Sequence, residues 1–146
     1  MKKRLMLAAL CAALAASHAF ARDTVNDYPV VDALNSEPGK VGDDVTLYFA
    51  GQPHPVVLKS FGEFATNKKT NAFGKSDEAA CQHVFLSAVQ ELQERARKEG
   101  GNAVINIKSN YKNELRESAT EFTCGAGAMI AGVALVGDVV TLKGGK

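Results

Sequence analysis

The chain has 146 residues, 46% of them hydrophobic and 23% charged, with a formal net charge of +1. That length suits one ordinary domain. The near-neutral balance, with no basic run beyond the N-terminal end longer than Lys68-Lys69, excludes the electrostatic footprint of a nucleic-acid binder.

Lys2, Lys3 and Arg4 form a basic start, and Leu5 to Ala16 an apolar stretch. Ala19-Phe20-Ala21 then has the small-x-small pattern of a signal-peptidase site. An export signal over residues 1–21, cut before Arg22, is the expected reading, leaving a periplasmic or secreted protein. The apolar run is shorter than the ~20 residues that span a bilayer, so no transmembrane segment is expected once the signal is gone. Leu10 stands where a lipidation motif needs a small residue, which argues against a lipid on Cys11. Loss of the signal removes three of the 17 basic residues and no acid, so the remainder carries a net charge of about −2.

Residues 22–44 read as an irregular N-terminal arm. Pro29, Asn35, Pro38, Gly39 and Gly42 break it, and Val30 to Leu34 suits a short strand or a turn of helix. A single α+β domain is expected over 45–146. Val45 to Ala50 alternates as a strand, Gly51-Gln-Pro-His-Pro55 interrupts it, and Val56 to Phe64 resumes, so a hairpin is the expected pairing. Asn67 to Lys75 reads as a polar loop.

The most regular element follows, an amphipathic helix over about 76–99. Ser76 or Asp77 suits the N-cap, Asp77 and Glu78 suit the positive end of the helix dipole, and Arg95, Arg97 and Lys98 the negative end. Gly100-Gly101 closes it. At roughly 100° per residue, Cys81, Val84, Phe85, Ala88, Val89, Leu92 and Ala96 share one face. A strand over 103–108 follows, then a polar connection over 110–118 and a strand over 119–124. Val133 to Leu142 reads as a last strand, bent at Gly137-Asp138. From Ala128 to Val136 apolar residues occupy both parities, so that piece is expected to be buried on both faces, covered by the N-terminal hairpin or by a neighbouring subunit.

Beyond the signal only Cys81 and Cys124 remain, an even number in an oxidising compartment. If Phe122 faces the core, strand alternation points Cys124 at the helix face that holds Cys81. Closing a loop of about 44 residues would then stabilise the fold by about 4 kcal/mol in the chain-entropy model. Two buried free thiols are the alternative.

No constellation carries an enzyme signature. Gly127 and Gly132 have Walker A spacing, but Val133-Ala134 stands where Lys and Ser/Thr would hold phosphate and magnesium. Gly125 and Gly127 lack the third glycine of a dinucleotide fingerprint, and glycines for bulges and close backbone packing explain them instead. His83 lies two residues from Cys81, on the opposite side of a helix, and His54 lies between two prolines, so neither assembles a zinc site or a Cys–His pair. Ser87, Ser109 and Ser118 sit in no nucleophile elbow. Glu91 with Glu94 and Glu114 with Glu117 read as solvated faces, while Asp43-Asp44, ahead of a strand, could bind a cation weakly but is a common and unspecific loop pair. No catalytic residue, no cofactor and no metal ligand is assigned.

Cys81 and its helix, Thr70 to Cys81, Gly100-Gly-Asn-Ala-Val-Ile105, Cys124-Gly-Ala-Gly-Ala-Met129 and Val133-Ala-Leu-Val-Gly137 resemble a family of small exported proteins often labelled excinuclease ATPase subunits. That label conflicts with the missing Walker lysine. More distantly, the helix–Gly-x-Asn-Ala-Val–strand unit is similar to the YbjQ family, labelled heavy-metal-binding and forming ring oligomers, and to the signalling domain of the envelope stress sensor RcsF. The resemblance implies a mainly antiparallel sheet with one principal helix on it, and Cys81 and Cys124 as disulfide partners. RcsF's second cysteine pair and lipidated cysteine have no counterpart here.

Two functions follow as expectations. One is an exported, non-enzymatic binding or assembly module of the cell envelope, tied to envelope stress through the resemblance, with an unknown envelope protein or a second copy as partner. The alternative is a periplasmic heavy-metal-binding protein using the two thiols. A hydrolase based on His54 or His83 has the least support.

Overall fold

In the computed structural model, residues 22–145 are described. The expected export signal therefore lies outside the described residues. The chain runs β1 (Thr24–Pro29), α1 (Val30–Ser36), β2 (Thr46–Phe49), β3 (Val57–Asn71), α2 (Asp77–Glu99), β4 (Ala103–Ser109), a 3-10 turn at Tyr111–Asn113, β5 (Glu121–Ala126) and β6 (Ile130–Leu142). This is an α+β fold: a curled, mostly antiparallel sheet of six strands with one long helix and one short one.

The curl comes from how β6 shares its two edges. One edge pairs with β3 along its whole length, from Asn71 opposite Ile130 to Val57 opposite Leu142. The other is divided between β5, at Gly125↔Gly132 and Ala126↔Ala131, and β4, from Ser109↔Leu135 to Ala103↔Val140. β5 continues into β1 and β4 into β2, so the sheet forks on that side. Where the fork opens, the Ser109 hydroxyl accepts a hydrogen bond from the Thr123 N–H at 2.8 Å. A bulge in β4, with Asn106 at φ 52°, puts Val104 and Ile107 on the α2 side and Ile105 on the other.

α2 matches its sequence signals at both ends. Ser76 is the N-cap, its hydroxyl accepting from the Ala79 N–H at 3.1 Å, and Gly100 closes the helix in the left-handed region at φ 86°. The seven residues of the expected face are all buried. They meet Phe122, Cys124, Val133, Leu135 and Val139 from the sheet, and Phe85 stacks on Phe122 with ring centroids 4.1 Å apart. No helix among the described residues is long and apolar enough to cross a membrane.

Four expectations are corrected. The segment 22–44 is not irregular: β1 adds to the sheet beside β5, and Val30 and Ala33 of α1 enter the core. The strands around Gly51–Pro55 do not form a hairpin. β2 pairs in parallel with β4, while β3 crosses to the far side of β6. Pro53 and Pro55 cannot donate to a ladder and favour extended backbone. Gln52 ties the connection elsewhere, accepting from the Phe49 N–H at 2.8 Å and donating to Ala119 O at 2.8 Å. Third, residues 67–71 are strand rather than loop, because the ladder to β6 supplies what the polar side chains do not.

The last concerns β6. Residues 131–137 are buried on both faces, but Ala128, Met129 and Ile130 are exposed. α2 covers one face. On the other, the chain covers its own strand at both ends: Tyr111 lies against Gly132, and Tyr48 packs on a small cluster of Ala103, Ile105, Val140 and Leu142.

Candidate functional site

The residues singled out from the sequence are dispersed, and their contacts hold the fold together. Cys81 and Cys124 are disulfide-bonded, with Cα atoms 5.9 Å apart, and both are fully buried. The bond joins the first turns of α2 to β5. His83 Nδ1 lies 2.8 Å from Glu37 Oε2, fastening α2 to the end of α1. This contact, with Lys40 second, holds the Glu37 carboxyl below its usual range. His54 is exposed in the β2–β3 connection, its ring edge-on to Tyr48.

The carboxylates are engaged as well. Glu91 accepts from the Thr66 hydroxyl at 2.6 Å and pairs with Lys68 at 3.2 Å, fixing α2 to β3. Glu94 pairs with Lys98, Glu114 with Arg116 and Glu117 with Lys108. Asp44 is gripped by Arg97 through two hydrogen bonds of 2.6 and 2.7 Å, and these lower its pKa to about 2. Among the described residues no three His, Cys, Asp or Glu side chains converge as metal ligands.

One concave feature stands apart. At the end of the sheet where β3, β5 and β6 meet, on the face away from α2, there is a cleft of about 530 Å³. Its floor is the register pair Gly125↔Gly132. The Tyr111 ring lies across that pair. A Cβ on Gly125 would fall 1.9 Å from the Tyr111 hydroxyl, and one on Gly132 3.5 Å from Tyr111 Cε2. Tyr111 is carried there by an unusual backbone, since Lys112 and Asn113 are both left-handed at φ 53° and 61°. Two consecutive non-glycine residues in that region are uncommon and persist only where their surroundings hold them.

The cleft walls mix apolar and charged groups. Ala128, Met129 and Ile130 form one side, with Met129 60% and Ile130 55% exposed. Arg22, Lys69 and Lys112 supply positive charge. Arg22 is held by Asp77 through a two-pronged contact at 2.7 and 2.9 Å, and Lys112 pairs with Asp23. Lys69, opposite Gly132 on β3, has no ion-pair partner among the described residues. Burial raises the Tyr111 phenol above its ordinary pKa. Sequence reasoning read these glycines as places of close packing, and Gly125 and Gly132 lie directly against the Tyr111 ring. It missed Tyr111, because nothing in a polar connecting segment marks the ring that two distant glycines are shaped to receive.

The other uncommitted surface is the outer edge of β3. Fifteen residues long, it pairs only with β6 among the described strands. Val56, Val57 and Leu58 at its start are exposed and contiguous.

No family model matches the chain, and no curated protein matches it. Among solved structures, a DUF74-family protein of unknown function from Pediococcus pentosaceus ATCC 25745 is similar, with 15% sequence identity and a TM-score of 0.45, over 68% of this chain and 98% of that one.

Proposed function

We propose that this chain is an exported, non-enzymatic binding or assembly module of the cell envelope that works by adding a strand at the free edge of β3. The observation that carries this reading is that edge itself. A long edge strand presents a row of unpaired backbone donors and acceptors, a template for a strand from another chain. The exposed Val56-Val-Leu58 segment adds apolar area where such a strand would begin. His83, Glu91 and Asp44, which might have served chemistry, are taken up in contacts between elements. The heavy-metal alternative draws on two thiols that the disulfide occupies.

A second copy is the simplest partner, and light scattering on the protein purified after export tests it. The expectation is a concentration-dependent oligomer that Val56→Lys with Leu58→Lys reduces by at least about tenfold in association constant, a loss of about 1.4 kcal/mol, with thermal stability unchanged. A strict monomer that also captures no envelope protein would end the proposal.

A further inference from the structure

We propose that the cleft over Gly125 and Gly132 binds a small amphipathic anion: a flat apolar body carrying one carboxylate or sulfonate. This site takes Asn67 and Lys69 from β3 but lies on the face of the sheet and not along the strand's outer edge, so it does not depend on the assembly reading. Four observations converge on it. Its volume, about 530 Å³, lies within the roughly 300–1,000 Å³ of small-molecule sites. Its glycine floor carries the half-buried Tyr111 ring, against which a flat group can pack. Its rim exposes Met129 and Ile130, large apolar side chains whose solvation costs free energy that a bound apolar group would recover. The backbone at Lys112 and Asn113 is held in a left-handed conformation that places Tyr111 there, and such strain gathers at ligand clamps.

Charge selects the class. Of the three cations on the lining, Arg22 is committed to Asp77 and Lys112 to Asp23. Among the described residues Lys69 has no ion-pair partner, and it stands on the same sheet face as Gly132, its Cγ 3.8 Å from where a Gly132 Cβ would stand. One unneutralised ammonium beside an apolar floor complements one negative charge on an apolar body. A charge-assisted hydrogen bond of that kind outweighs a neutral one about twofold in energy. Lys69 is thus the anchor, and Tyr111, Met129 and Ile130 form the apolar seat.

The probe is 2-naphthoate, with neutral 2-naphthamide as its control, titrated into nitrogen-15-labelled protein purified after export. Saturable shifts of the Gly125, Gly127 and Gly132 amide resonances are expected, with naphthamide binding about tenfold more weakly. Lys69→Gln should weaken naphthoate about tenfold and leave naphthamide unchanged. Gly132→Val should weaken both, because a Cβ there stands 3.5 Å from Tyr111 Cε2 and its methyl groups would crowd the ring that seats the ligand. The proposal is overturned by the absence of saturable shifts at these glycines, by equal affinity for the acid and the amide, or by indifference to Lys69→Gln. Shifts that follow protein concentration rather than naphthoate would assign the corner to self-association and overturn it equally. The Lys69→Gln and amide comparisons decide the matter even if Gly132→Val does not fold.

Discussion

Gln93 sits on the buried stripe of α2, one residue beyond Leu92, and is 1% exposed. Its amide is fully used: the carbonyl accepts from the Gly42 N–H at 3.1 Å, and the amino group donates to Gly42 O at 2.7 Å and Val45 O at 2.8 Å. It thereby clamps the segment leading into β2 onto the helix. Gln93→Leu fits the apolar surroundings but strands three backbone groups. An unsatisfied buried polar group costs about 1–3 kcal/mol, and of the three only the Val45 carbonyl bond is fully buried, so denaturant unfolding should show a loss in that range. A loss below about 0.5 kcal/mol would mean that water reaches those groups after all. The sequence contained a hint of this, a polar residue in phase with Val89 and Ala96. It contained none of the address, since Gly42 and Val45 lie some fifty residues away. Glycine shows the same asymmetry. Gly100 was legible as a helix stop from its local setting, whereas Gly125 and Gly132 acquire their meaning only from a ring that arrives from another segment.

Among the elements, α2 was readable almost to the residue because everything that defines it is local. A cap, two charged ends, a 3.6-residue stripe and a glycine stop agree within one stretch of chain. β3 was readable only in its first half. Asn67 to Asn71 has loop composition, yet it is strand because β6 lies beside it. Edge strands tolerate polar and lysine-rich sequence, and such residues discourage indiscriminate pairing. The disulfide belongs to this scale, since it joins two elements and not merely two atoms. Removing the cross-link should cost about 4 kcal/mol in the chain-entropy model. Cys81→Ser and Cys124→Ser should therefore lower stability by similar amounts, and the double variant by little more than either. Chemical unfolding of all three variants under oxidising conditions checks this, and additive losses would contradict a single shared bond.

Across the whole molecule, polar contacts tie segments that the sheet does not join. Asp23 with Lys112, Glu37 with His83, Asp44 with Arg97, Asp77 with Arg22 and Glu91 with Thr66 each bridge distant stretches of chain. In every case the partner's hydrogen bond is the main reason that the carboxyl pKa is lowered. A carboxylate with a lowered folded pKa contributes stability that is present above its unfolded value and lost as pH falls through the folded one. For Asp44 that window runs from 3.8 down to about 2. Thermal stability should therefore decline across this range, and the decline should be smaller in Asp44→Asn. Because these groups are exposed and screened, high salt should also shrink it. A stability profile flat from pH 4 to about 2 would contradict the contribution of these pairs.

Read alone, the sequence determined α2, its buried face, β4 and a cysteine pair suited to one bond, along with the sheet-and-helix class. Each of these rests on periodicity or on end signals confined to a short stretch, where backbone geometry and burial leave little choice. The tertiary structure decided the rest. It made β2 a parallel partner of β4, recruited residues 24–36 into the sheet and core, and left one edge of β3 open among the described strands. It also brought Tyr111, Lys69 and two glycines to one corner. Such placements depend on which strand lies next to which, and composition does not encode adjacency between segments dozens of residues apart.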